Sequence, residues 1–196
     1  MWHHPAMASF TFDTNCLIDV AEERPSAPHV RAILAAGADG QADLALVASS
    51  ASERQQGDTF LESIDAFEER RSALGFGSLP LLPSMARWGV SFFGNAVCGW
   101  AEGVAREQAI FTILFPASPF SWTDYASSKD VDPNDKSTAA YMRWRNQILD
   151  AQALWAHDNA GRDVFVTSDQ RLKAIDGHSA FPTMAIKTPA EAVGLL

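Results

Sequence analysis

Short β-prone runs alternate with longer helical periodicities along much of this chain. Ser9–Phe12 (SFTF) alternates small and apolar residues just before an acid, and Leu44–Ala48 is a short aliphatic run bounded by polar residues. Both read as buried strands. Val164–Thr167 (VFVT) and Met184–Lys187 (MAIK) repeat the pattern near the other end, followed by the helix-start pairs Ser168-Asp169 and Thr188-Pro189. Helices are predicted over Ala27–Ala36, Thr59–Leu74, Glu102–Leu114 and Ser137–Ala160. Strands alternating with helices predict an α/β fold with a parallel sheet covered on both faces.

The last of these helices is the most informative. Tyr141, Trp144, Ile148, Ala151 and Trp155 are spaced 3, 4, 3 and 4 apart, a core stripe along one side. At 100° per residue Asp150 falls nearly opposite Ile148, on a side shared with Leu154 and His157. The pattern predicts a helix covered on both sides, with a carboxylate on the second. Residues 75–135 differ in character, being rich in Gly, Pro and aromatics with one convincing helix. They read as a mixed helical and loop insertion, or cap, on a single domain spanning residues 1–196.

Composition narrows the function classes. Hydrophobic residues make up 47% of the 196, enough for one sizeable core. A formal net charge of -9 leaves no general basic surface to hold a polyanion, which counts against unassisted, non-specific nucleic-acid binding. Cys16 and Cys98 stand far apart without CxxC or Cys/His neighbours, so neither a zinc site nor a disulfide framework is expected, and a reducing cytoplasm fits. The N-terminus lacks a signal-peptide pattern and the uncharged run from Trp88 to Ala101 is too short to span a bilayer, so no membrane association is expected.

In parallel α/β sheets, side chains just beyond the carboxyl ends of strands converge even when distant in sequence. Asp13 ends FTFD, Glu53 lies a few residues past LALVA, and Asp169 follows VFVTS. Asp150 lies on the helix leading into the last of these strands. Four carboxylates brought together repel unless a cation lies between them, and hard oxygen ligands suit Mg²⁺ or Mn²⁺.

The segments FDTNCLID, SSASERQ, ILDAQALWA, VTSDQRL and IKTPAEAV resemble, in that order, the successive blocks of PIN-domain proteins. The likeness covers about the first 55 and the last 50 residues. It implies a three-layer α/β/α sandwich with a mostly parallel sheet, and a metal-dependent endonuclease, commonly acting on RNA. By that analogy Asp13, Glu53, Asp150 and Asp169 bind one or two Mg²⁺ or Mn²⁺ ions, which activate water for in-line attack on a phosphodiester. Thr167 would orient Asp169 and Asn15 would orient Asp13. Small toxin members of the family lack anything like residues 75–135, a departure from the pattern.

Each carboxylate also has an ordinary reading. Ser50-Ala51-Ser52-Glu53 forms a capping box, Asp169 an N-cap for QRLKAI, and Asp13 a cap for a helix beginning near Cys16. His157 reads as a satisfied core or surface residue and Asp163 as a strand start. Arg54, Arg143, Arg145, Arg171 and Lys173 are candidate phosphate contacts, while Trp88, Phe92, Phe93 and Trp100 can stack on bases or serve packing. Two dications would bring -9 only to -5, so RNA binding needs a local basic groove, a homodimer or a basic protein partner. The main alternative is a non-catalytic PIN-like module that binds a protein through residues 75–135. A phosphatase of the haloacid-dehalogenase type is disfavoured because position 15 is Asn15 where a second Asp is needed.

Overall fold

The computed structural model describes residues 7–52, 64–87, 90 and 96–196. Its centre is a five-stranded sheet in the order β3-β2-β1-β6-β7, with every pairing parallel. The strands are β1 (Ser9–Phe12), β2 (Asp43–Val47), β3 (Leu81–Leu82), β6 (Val164–Val166) and β7 (Ala185–Lys187). A separate two-stranded pair joins β4 (Ser84–Met85) to β5 (Ala96–Val97).

Alternation along the strands sorts the helices into two layers, giving the α/β/α sandwich. Phe10 and Phe12, with Leu44, Leu46, Val164 and Val166, face one side. There they pack with α1 (Thr14–Ala21), α2 (Ala27–Ala38), α3 (Ile64–Ala73) and α7 (Pro189–Val193). Val47, Phe165 and Ile186 face the other side, against α6 (Ala139–Asn159) and, beyond it, α4 (Ala101–Leu114) and α5 (Trp122–Ser128). The predicted stripe Tyr141, Trp144, Ile148, Ala151 and Trp155 is buried. Leu154 and His157 on the opposite side are buried too, so α6 is a central helix rather than a half-exposed one.

Polar side chains hold the amino edge of the sheet in register. Asp163 accepts from the Ser9 amide and hydroxyl at 2.8 and 2.6 Å, just before β6. Arg162 donates to Asp43 and to the carbonyls of Phe10 and Asp43. At the other edge Thr188 caps α7 through a reciprocal capping box with Glu191.

The segment 75–135 supplies more order than its composition suggests. It contributes the edge strand β3 and a second helix, α5, besides the one expected. Helix α5 begins at Ser121, whose hydroxyl accepts from the Asp124 amide, and Tyr125 and Ala126 are buried against α6. Two buried polar ties fasten this segment to the core. The Gln152 amide of α6 donates to the Met85 carbonyl at 2.9 Å, and Arg87 pairs with the fully buried Glu107 at 2.8 Å. Gly103 is required by a close approach: a Cβ there would lie 2.9 Å from the Trp100 ring. The first part of the helix expected over Thr59–Leu74 lies outside the described residues.

Candidate functional site

The strand order turns at β1, whose neighbours are β2 on one side and β6 on the other. That reversal opens a crevice at the carboxyl ends of β1 and β6, the usual ligand position in open parallel sheets. Asp13 and Thr167 are the residues immediately following these two strands. The Asp13 amide continues the ladder to the Val166 carbonyl at 3.0 Å, so its side chain is fixed by the sheet itself.

Asp13 is buried and fully engaged. Its Oδ1 accepts from the Thr14 amide at 2.8 Å, which makes it the N-cap of α1. Its Oδ2 accepts from the Asn15 amide group at 2.8 Å and the Thr167 hydroxyl at 2.6 Å. Burial raises its pKa, opposed by those three hydrogen bonds and aided by the Asp169 charge. Thr167 orients both acids, since its Oγ1 also accepts the Asp169 amide at 3.0 Å.

Asp150 approaches from α6. Its carboxyl is pushed up to about 8 by burial, then by the Asp13 charge, with Arg171 opposing and Asp169 adding. Oδ2 of Asp150 is buried without a hydrogen-bond partner. Arg171 Nη2 lies 3.6 Å from it. Asp169 caps the 3₁₀ turn Gln170–Ile175 by accepting the Arg171 amide at 2.8 Å. Burial would raise the Asp169 carboxyl, but the hydrogen bonds and charge of Arg171 outweigh it and hold the pKa below the usual value. The capping readings of Asp13 and Asp169 are therefore correct, and both caps face one crevice together with Asp150.

Glu53, the fourth expected carboxylate, and Arg54 lie outside the described residues, as do Trp88, Phe92 and Phe93. The chain before Glu53 forms a 3₁₀ turn at Ala48–Ser52, where Ser50 Oγ accepts from Thr14 Oγ1 at 2.7 Å, next to Asp13. Among the described residues no group of three His, Cys, Asp or Glu side chains stands arranged to hold a metal ion. Asp13 accepts three hydrogen bonds, and the Arg171 guanidinium lies between Asp169 and Asp150. The donor set nevertheless suits a hard divalent cation. It is all carboxylate oxygen, like charges repel across it, and the buried Asp150 Oδ2 lacks a donor.

The basic candidates separate. Arg143 is exposed and lies seven residues before Asp150, two turns along the same side of α6. Arg145 lies five residues before Asp150, about 140° around the helix, and does not share that side. Lys173 is paired with Glu191 at 2.9 Å. Arg171, a candidate phosphate contact by sequence, instead pairs with Asp169 and lies 3.6 Å from Asp150; an Arg two residues after an N-cap Asp is the local signal for the first of these contacts. His157 is a core residue, its Nδ1 2.9 Å from Thr11 Oγ1 and its ring edge-on to Phe165. Burial drives its pKa down to about 4. Among the described residues no helix is long and apolar enough to cross a membrane. Comparison of the chain with protein-family models, curated proteins and solved structures finds no match.

Proposed function

We propose that this chain is a PIN-like endoribonuclease dependent on Mg²⁺ or Mn²⁺. The observation that carries the reading is the convergence of Asp13, Asp150 and Asp169 at the β1/β6 switch point, close enough that the Asp169 charge raises the Asp13 pKa and the Asp13 and Asp169 charges raise that of Asp150. The order of sequence blocks that resembles PIN domains supports it, with Glu53 as the fourth acid of the set.

In this reading Asp13, Asp150 and Asp169 hold the cation, which when bound supplies Lewis acidity and neutralises charge on a phosphodiester. Thr167 keeps two of the acids in register, donating to Asp13 and accepting from the Asp169 amide. Asn15 fixes the second lone-pair direction of the Asp13 Oδ2. Arg143, exposed two turns from Asp150, is positioned to hold a neighbouring phosphate of the same strand.

The test is cleavage of single-stranded and hairpin RNA with Mn²⁺ or Mg²⁺ and with chelator. Asp13→Asn and Asp150→Asn are each expected to lose at least about 100-fold in rate, as loss of groups that hold or orient a metal commonly does. Equal cleavage by wild type and both variants would assign the activity to a contaminant. A second reading, a protein-binding module, is favoured by the exposure of Trp100 (44%) and Val104 (37%) beside α4. Calorimetry that detects no Mn²⁺ binding would select it.

A further inference from the structure

Arg171 is half of an unusual pairing. Its backbone amide and its Nε both donate to Asp169, at 2.8 Å to Oδ1 and 2.9 Å to Oδ2, and its Nη2 closes a further bond to the same carboxylate. The same Nη2 lies 3.6 Å from Asp150 Oδ2. One guanidinium nitrogen thus stands between the carboxylates of Asp169 and Asp150, where a shared cation would have to stand. The arm that carries it is not buried: the Arg171 side chain is 66% exposed, against 19% for Asp150 and 15% for Asp169.

We propose that Arg171 is an internal counter-cation that competes with the divalent ion for Asp169 and Asp150, and that metal binding releases it toward the substrate. This rests on the metal-dependent reading above. Without a cation between them, the acids repel and one buried carboxylate oxygen has no donor; the guanidinium relieves part of that repulsion from outside. Because the arm is solvated and flexible, the pairing is weak and displaceable. A dication brings twice the charge and, unlike a planar fork, coordinates oxygens converging from several directions. Once displaced, Arg171 remains tethered two residues from Asp169, so its guanidinium stays beside the crevice and is free to pair bidentately with a phosphate. The exchange couples metal loading to the appearance of a substrate-binding cation.

Two readouts test this without measuring cleavage. Calorimetric titration with Mn²⁺ is run on wild type, Arg171→Gln, Arg171→Lys and Asp13→Asn. Arg171→Gln is expected to bind Mn²⁺ about five- to tenfold more tightly, Arg171→Lys to fall between it and wild type, and Asp13→Asn to lose binding. In ¹⁵N spectra, the Arg171 side-chain Nε–H signal, identified by its loss in Arg171→Gln, should shift toward a solvated position as Mg²⁺ is added. Unchanged or weaker Mn²⁺ affinity in Arg171→Gln, or a stationary Nε–H signal at saturating Mg²⁺, overturns the counter-cation proposal while Asp13→Asn still reports on the metal site. Binding that survives Asp13→Asn, or is absent from every variant, overturns both.

Discussion

At neutral pH the Asp150 carboxyl holds a proton that an exposed aspartate would have lost. Its folded pKa of about 8 lies above the ordinary 3.8, because burial and the Asp13 charge outweigh Arg171. Unfolding in that window releases a proton, so rising pH favours the unfolded chain until the folded group has itself ionised. His157 has the opposite sign: its folded pKa near 4 lies below 6.5, so its contribution is lost as pH falls through that interval. The two oppose each other below pH 6.5, and Asp150 acts without His157 between pH 6.5 and 8. Metal-free protein, unfolded in urea with chelator, is therefore expected to lose stability steadily from pH 6.5 to 8. Asp150→Asn should flatten that slope and be more stable than wild type at pH 8.5 by about 1–3 kcal/mol, the scale of one unpaired buried polar group. A flat wild-type profile would mean that Asp150 is ionised in the fold. Thr167→Val probes the neighbouring contact. It keeps the shape but removes the donor to Asp13 and the acceptor for the Asp169 amide, at an expected cost of about 1–3 kcal/mol and about 10–100-fold in Mn²⁺ affinity.

Among the elements, α6 decides both the packing and the site. Its stripe meets the aromatic residues Trp100 and Trp122, whereas His157, on the side shared with Asp150, meets Thr11 and Phe165 of the sheet; the position of Asp150 opposite Ile148 follows from helical geometry alone. Cover on both sides follows from the same spacing, but which neighbour covers which side does not, because that depends on the tertiary contacts of α6. The sheet strands are legible for a similar reason: β2 and β6 are largely apolar runs buried on both faces, and β1 and β7 place Phe10, Phe12 and Ile186 in the core. Strand β3 has two residues and α5 seven, too short for either period to register, and both owe their form to the partners they meet. Asp13 is legible because a strand's end fixes the residue after it, whereas the Arg171 bridge depends on a long side chain's choice among partners. Leu154→Ala tests the two-sided burial of α6. A fully buried leucine with sheet on one hand and helices on the other should cost about 2–5 kcal/mol, seen as a lower urea midpoint with unchanged slope. A cost below about 1 kcal/mol would place that side of α6 nearer to solvent.

For the molecule as a whole, the acidic balance and the proposed polyanionic substrate set opposite demands. A net charge of -9 is unfavourable for a polyanionic substrate, and even two dications leave -5. On the nuclease reading proposed above, affinity for RNA would have to be local, drawn from the ion, from Arg171 once released and from Arg143 on the same side of α6. The ion's own affinity is measurable through stability, independently of any substrate. A ligand that binds only the folded chain stabilises it by about 2.7 kcal/mol at a hundredfold excess over its Kd. For a chain of 196 residues that corresponds to a rise in Tm of about 5–11 °C. Because the ion displaces the proton on Asp150, the rise should grow between pH 6.5 and 8. Asp13→Asn removes a ligand shared by the whole cluster and should abolish the rise at every pH. An equal rise in Asp13→Asn would show that Mn²⁺ binds elsewhere on the acidic surface, and the crevice between β1 and β6 would lose its claim to the ion.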